Sequence, residues 1–242
     1  MEQFQHDPTH EHWGFTSWND FFTRRFVDGA RPVAAPDDDA VIVSACESTP
    51  CGLRTDVSLH DRFWLKGQPY SLHDMLDHDE AAAEFAGGTV YQAFLSATNY
   101  HRWHSPVAGT VVRARVVDGT YYSEADTVGQ GETESPNSQS YLAHVATRAI
   151  VLLQADNPAI GLMAFIAVGM SDVSSYIIDV QTGQHLDKGD ELSYFQFGGS
   201  THCLVFRPGV ITDVRLQAVP LPGDPKAPLV LLHSPIATAT RA

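Results

Sequence analysis

The chain has 242 residues, with 15 Lys and Arg against 29 Asp and Glu, a formal net charge of −14. That acidity repels phosphate backbones and anionic lipid surfaces, which excludes nucleic acid and a polybasic membrane patch as partners. Hydrophobic residues make up 43% and charged residues 18%, a globular composition, and the most apolar stretch, residues 159–170, falls short of the roughly 20 residues a spanning helix needs.

Residues 1–13 are polar and rich in His and acid, with no basic or apolar leader region, so we expect no secretory signal and a flexible N-terminal arm over 1–15. Residues 16–26 read as a short amphipathic helix capped by Thr16 or Ser17, with Trp18, Phe21, Phe22 and Phe26 on the core side. Ala40-Val41-Ile42-Val43 is a short apolar run after the turn Asp37-Asp38-Asp39. Residues 71–85 read as a second helix with Ser71 as cap and Asp74 in the capping-box position, stopped by Gly87-Gly88. From residue 89 the runs become short, β-branched and aromatic: 89–95, 110–117, 148–154, 161–168, 175–180 and 203–206. Separated by Gly, Pro, Asn and Asp, they predict an α+β fold with an antiparallel β-rich core and a few short helices. Residues 123–140 read as a flexible loop or active-site lid. We expect the Pro- and Ala-rich C-terminal tail, 216–242, to run over the surface of a domain spanning 16–215.

Three segments carry candidate chemistry. In Phe197-Gly198-Gly199-Ser200-Thr201 two glycines permit a strained turn with the Ser200 hydroxyl beside the preceding carbonyl, though Gly-Gly-Ser is also ordinary hairpin chemistry. In Tyr100-His101-Arg102-Trp103-His104-Ser105-Pro106 two histidines three apart suit acid/base work near neutral pH, half a metal site, or a half-buried loop. Glu47 follows an apolar strand, where a carboxylate can orient a histidine. Cys46, Cys51 and Cys203 are odd in number and lack redox or metal spacing, so they read as small buried thiols in a reduced, cytoplasmic protein. His60, His73, His78 and His185 read as solvated, and no metal site is expected.

In order along the chain, Trp18-Asn19-Asp20-Phe21-Phe22-Thr23-Arg24 with Arg31-Pro32, Lys66-Gly67-Gln68-Pro69-Tyr70-Ser71-Leu72, Tyr100 to Gly109, Val168-Gly169-Met170, and Lys188-Gly189-Asp190-Glu191-Leu192 through Thr201 resemble the phosphatidylserine decarboxylase family. Each match is short, but five in order with compatible spacing are specific. Two departures, Glu47 in place of the family's aspartate and Phe-Gly-Gly before Ser200, look closer to the branch that decarboxylates free amino acids such as tryptophan.

The resemblance implies a proenzyme that cuts itself between Gly199 and Ser200 into a β chain, 1–199, and an α chain, 200–242, headed by a covalent pyruvoyl group made from Ser200. It implies that His104, oriented by Glu47 and supported by His101, serves Ser200 and later donates a proton. The pyruvoyl ketone would form a Schiff base with an amine substrate and take up electrons as carbon dioxide leaves. The expected substrate is a small-molecule amino acid, aromatic if Trp103, Phe94, Tyr121, Tyr122 and Phe195 line its pocket. The alternatives are a phospholipid headgroup substrate, phosphatidylserine, and a non-catalytic β-rich binding module, because residues 105–111 also resemble a segment of biotinyl- and lipoyl-carrier domains. The relatives imply a homodimer.

Overall fold

The computed structural model describes residues 1–60, 70–121, 136–169, 175–196, 200–221 and 227–241. A seven-stranded sheet organises the chain, in the order β2 (Thr49–Val57), β3 (Gly88–Leu95), β11 (Ser200–Phe206), β7 (Leu162–Gly169), β6 (Arg148–Ala155), β5 (Gly109–Val117) and β9 (His185–Leu186). Every pair in it is antiparallel. Two three-stranded sheets complete the β structure: β4 (Arg102–His104), β10 (Glu191–Gln196) and β8 (Ser175–Ile178), and β1 (Val41–Val43), β13 (Pro235–Ala239) and β12 (Ile211–Val214). The expected α+β class is the one observed.

The large sheet is covered on both faces, which is why its central strands are continuous apolar runs rather than alternating ones. Along β7, Met163, Phe165 and Ala167 enter one core, while Leu162, Ala164, Ile166 and Val168 enter the other. The first core is closed by the small sheets, through Trp103, Leu192, Phe195, Ile42 and Ala237. The second is closed by α2 (Leu72–Met75), the 3-10 turn Glu80–Phe85 and α3 (Pro136–Val145), through Leu72, Met75, Phe85 and Leu142.

Several expectations are corrected. The helix expected over 71–85 ends after Met75, because beyond the cap residue Leu76 both Asp77 (φ 53°) and His78 (φ 60°) take left-handed conformations. Arg148 closes that end by donating to the carbonyls of Asp74 (2.7 Å) and Met75 (2.8 Å). The second half re-forms as the 3-10 turn, capped by Asp79, whose carboxylate accepts from Ala81 N at 3.0 Å. The first helix is short, α1 (Trp18–Phe22), and is capped by Ser17 accepting from Asp20 N. Of its aromatic face Phe22 is buried, but Trp18 is 59% exposed. The loop expected over 123–140 lies outside the described residues as far as 135; from Pro136 it is helix, with proline at the first position where its missing N–H costs nothing.

From Val230 the tail does not run over the surface. β13 pairs with β1 and β12, and Val230, Leu232, Ile236, Ala237 and Ala239 are buried. The N-terminal arm is anchored too: Phe4 bridges to Phe26 and stacks on its ring at 4.6 Å.

Candidate active site

Ser200 opens β11, opposite Leu95 of β3 and Gly169 of β7. It is fully buried, and its Oγ has no hydrogen-bond partner among the described residues. An unsatisfied buried hydroxyl costs about 1–3 kcal/mol, so it calls for a reason. The Phe197-Gly198-Gly199 segment that precedes it lies outside the described residues.

His101 and His104 flank β4, which runs antiparallel to β10, the strand that leads toward Ser200. The His101 carbonyl accepts from Phe195 N at 3.0 Å, whereas His104 pairs with Glu191. His101 thus lies opposite the C-terminal end of β10 and His104 opposite its start. The His101 ring stacks on Phe22 at 4.1 Å, and Nδ1 donates to the Asn99 carbonyl at 3.0 Å.

His104 is held at both nitrogens. Nδ1 lies 2.8 Å from the Gly189 carbonyl and must donate to it, so Nε2 accepts from the Tyr100 hydroxyl at 3.0 Å. Burial pushes its pKa down to about 3, against the Gly189 hydrogen bond, which raises it. Gly189 has φ +94°, and a Cβ there would stand 2.5 Å from Val33 Cγ2. Only glycine brings that carbonyl to the ring. Lys188 locks the same turn, donating to the carbonyls of Ala35 (2.6 Å), Asp38 (2.7 Å) and Val41 (3.1 Å).

The structure does not bring Glu47 to His104. Arg31 takes both its carboxylate oxygens, Nε to Oε2 at 2.6 Å and Nη2 to Oε1 at 2.9 Å, and Leu232 N donates to it at 3.3 Å. The planar fork of Arg31 matches a carboxylate better than a single imidazole N–H does. The Gly189 carbonyl thus orients His104 in place of the expected glutamate. Sequence reasoning missed His233, whose ring lies 4.8 Å from that of His104 and whose Nδ1 donates to the Arg31 carbonyl at 2.8 Å. It stands in the tail, 129 residues from His104 in sequence, with no motif around it. Sequence reasoning also missed His202, two residues beyond Ser200 on the same strand face, which is fully buried and whose pKa burial pushes down to about 3. Strand alternation was a usable signal for it, since i and i+2 share a face.

Among the described residues, the aromatics expected to line a substrate pocket do not gather at one place. Trp103 and Phe195 are fully buried in the first core, with ring centroids 5.3 Å apart. Phe94 pairs with Thr201, on the opposite sheet face from Ser200, and Tyr121 is 60% exposed. Tyr122 lies outside the described residues. The three cysteines are free, and burial pushes their thiols up, away from reactivity. His73, Asp74 and His78 offer ligand atoms within 4.8 Å of one another at α2, on the face away from Ser200.

The sequence profile of phosphatidylserine decarboxylase matches residues 18–219. The chain belongs to the phosphatidylserine decarboxylase family. It is 49% identical over 214 residues to decarboxylase iboD of Amanita muscaria, covering 84% of this chain and 61% of that one. It is 38% identical over 229 residues to an L-tryptophan decarboxylase of Psilocybe cubensis, covering 90% of this chain and 51% of that one. A phosphatidylserine decarboxylase proenzyme of Schizosaccharomyces pombe is 32% identical over 198 residues, covering 81% of this chain and 19% of that one. The chain thus spans between half and two thirds of the length of the first two relatives. The geometry explains the family's Lys-Gly-x-Glu segment: Lys188 ties a loop, Gly189 aims a carbonyl at His104, and Glu191 pairs with Arg25 at 2.7 Å and with Arg102. No helix among the described residues is long and apolar enough to cross a membrane.

The buried histidines set an acid limit on stability. His104 and His202 are pushed down to about 3 and His144 to about 4, against about 6.5 in the unfolded chain. Their contribution is complete above that unfolded value. As pH falls the unfolded state binds their protons first, and each costs about 1.4 kcal/mol per pH unit until its folded pKa is reached. Together they predict a loss of about 4 kcal/mol per pH unit below pH about 6. Urea midpoints measured between pH 7.5 and 4.5 check this. His144→Gln, which keeps an acceptor for Ser71 N, should flatten the slope by about a third.

Proposed function

We propose that the chain is a self-processing, pyruvoyl-dependent decarboxylase of free amino acids. The observation that carries the reading is Ser200: buried, without a hydrogen-bond partner among the described residues, and first in a strand directly after a glycine pair in sequence. Family membership and similarity to fungal amino acid decarboxylases support it.

The Ser200 hydroxyl attacks the Gly199 carbonyl carbon. The peptide C–N bond breaks as the ester bond forms, and the hydroxyl proton passes through an imidazole to the freed amine. Loss of the Ser200 Cα proton and of the Gly199 carboxylate leaves an unsaturated residue 200, which water converts to pyruvoyl with release of ammonia. We assign the serine proton to His101, which lies opposite the end of β10 that continues in sequence to Ser200, although the motif alone pointed to His104. In its neutral form, with Nδ1 donating to Asn99, His101 carries its basic lone pair on Nε2. His104 and the Tyr100 hydroxyl that it accepts from form a relay for the proton returned to the substrate carbon. A pyruvoyl group at residue 200 supplies a conjugated carbonyl that draws electrons from the substrate as carbon dioxide leaves. The cut leaves the fold whole, because β11 stays paired to β3 and β7, and β13 to β1.

Two measurements test this. Denaturing intact mass should show two fragments split between residues 199 and 200, the smaller lighter than a serine-ended peptide by the mass of ammonia. The processed protein should then release carbon dioxide from a free amino acid, with tryptophan the first to try. An uncut chain, or turnover of short-chain phosphatidylserine alone, would overturn the reading.

A further inference from the structure

We infer that the substrate's side chain is received on the Ser200 face of the large sheet, with His202 as its hydrogen-bonding partner, and that the amino acid taken has a flat ring bearing an N–H or O–H group. This rests on the proposed decarboxylase reading and names its substrate class and a specificity residue.

Four buried polar groups make the case. Ser200, His202 and Tyr91 project from one face, since Ser200 pairs with Leu95, His202 with Ala93 and Leu204 with Tyr91 across β11 and β3. Among the described residues the Ser200 Oγ and the Tyr91 hydroxyl on this face make no hydrogen bond, nor does Trp103 Nε1 in the core packed against it, and His202 has only the Ala93 carbonyl within reach of its ring, which leaves one ring nitrogen open. All four residues are at most 4% exposed. Buried polar atoms are almost always paired, so orphans gathered beside the nucleophile point to a partner that arrives with the substrate.

The setting is aromatic and uncharged. The His202 ring is stacked on Phe165, with centroids 5.8 Å apart, and Tyr91 meets it edge-on at 6.1 Å. Phe165 in turn stacks on Trp103 at 5.3 Å. The strand neighbours of His202 are Ala93 and Ala167, and Gly169 flanks Ser200, so the backbone there carries little bulk. His202 and Ser200 are two residues apart on one strand, or about 6.6 Å, one substrate length. No lysine or arginine stands among the described residues of β3, β11 and β7 on this face. A phosphodiester would find no cation there, whereas a planar ring finds faces to stack on and a polar edge to bond.

The test uses the processed enzyme and two substrates of one shape, L-tryptophan and its benzothiophene analogue, in which sulfur replaces the ring N–H. Wild type should favour tryptophan in kcat/KM by at least about 10-fold, because the analogue leaves a buried acceptor unpaired. His202→Val should bring the ratio to within about 3-fold of one, and His202→Gln, which keeps a donor and an acceptor, should restore the preference. A wild-type ratio near one, or a preference unchanged in processed His202→Val, overturns the inference. If His202→Val yields no processed protein, Tyr91→Phe decides: a ratio reduced about 3-fold or more supports the row of polar groups, and an unchanged one overturns it. Failure of the underlying reading looks different, since then no free amino acid gives an amine at all.

Discussion

Ser200→Ala should leave the chain as a single uncut polypeptide with no decarboxylase activity, a loss on the order of 10^3-fold or more in processing, since no other group can form the ester. The same variant should be no less stable than wild type, and by up to about 1 kcal/mol more stable. Among the described residues the Ser200 Oγ makes no hydrogen bond, and it is fully buried, so deleting it removes an unsatisfied group. A serine kept only for packing or turn geometry predicts the opposite pair of results: little effect on cleavage and a small destabilisation. Intact mass and a urea titration on the same sample read both quantities. Cleavage in Ser200→Ala would overturn the mechanism.

Gly189→Ala should destabilise the fold and displace the group that orients His104. The residue sits at φ +94°, and the new Cβ would stand 2.5 Å from Val33 Cγ2. A left-handed conformation at a non-glycine residue costs about 1–2 kcal/mol before the collision is counted, so a loss of about 2–4 kcal/mol is expected. The functional effect follows from the carbonyl. Relaxing the turn pulls it away from His104 Nδ1, now at 2.8 Å, and the ring loses the group that sets its tautomer. Decarboxylation by the processed fraction should fall by about 10^2-fold, in the manner of a lost orienting group, and the pH profile of the residual activity should shift. Comparison with Val33→Ala,Gly189→Ala separates the two causes: the double variant relieves the collision and recovers stability, but not activity, because φ remains wrong.

Much of this protein was legible in its sequence. Short β-branched runs between turn residues located five strands of the large sheet, because strand and turn chemistry are local and survive without knowledge of partners. The ordered motifs from Trp18 to Thr201 identified the family, and the Gly-Gly-Ser junction marked the serine. What failed depended on distant segments. A Pro- and Ala-rich tail has no strand signature, yet β13 is a buried strand, because Ala237 and Ala239 are small enough to fit between β1 and β12. The helix expected over 71–85 had the right apolar spacing, but Arg148, 73 residues from Met75 in sequence, donates to the broken end's carbonyls and stabilises the break before Asp77 and His78.

The site divides the same way. That Ser200, His101, His104 and Glu47 are candidates for chemistry followed from residue type, spacing and the family resemblance, all of which the chain itself carries. Which of them meet was decided by tertiary structure. Glu47 pairs with Arg31 rather than with His104, because a buried carboxylate takes the bidentate cation within reach. His104 is oriented by the Gly189 carbonyl, and a backbone oxygen has no letter in a sequence. His202 and Tyr91 belong to one face through the register of β11 against β3, a pairing across more than a hundred residues. Local propensity determined where strands begin and which residues are reactive. Only the packing of the sheets determined which of those residues share a face, a charge or a proton.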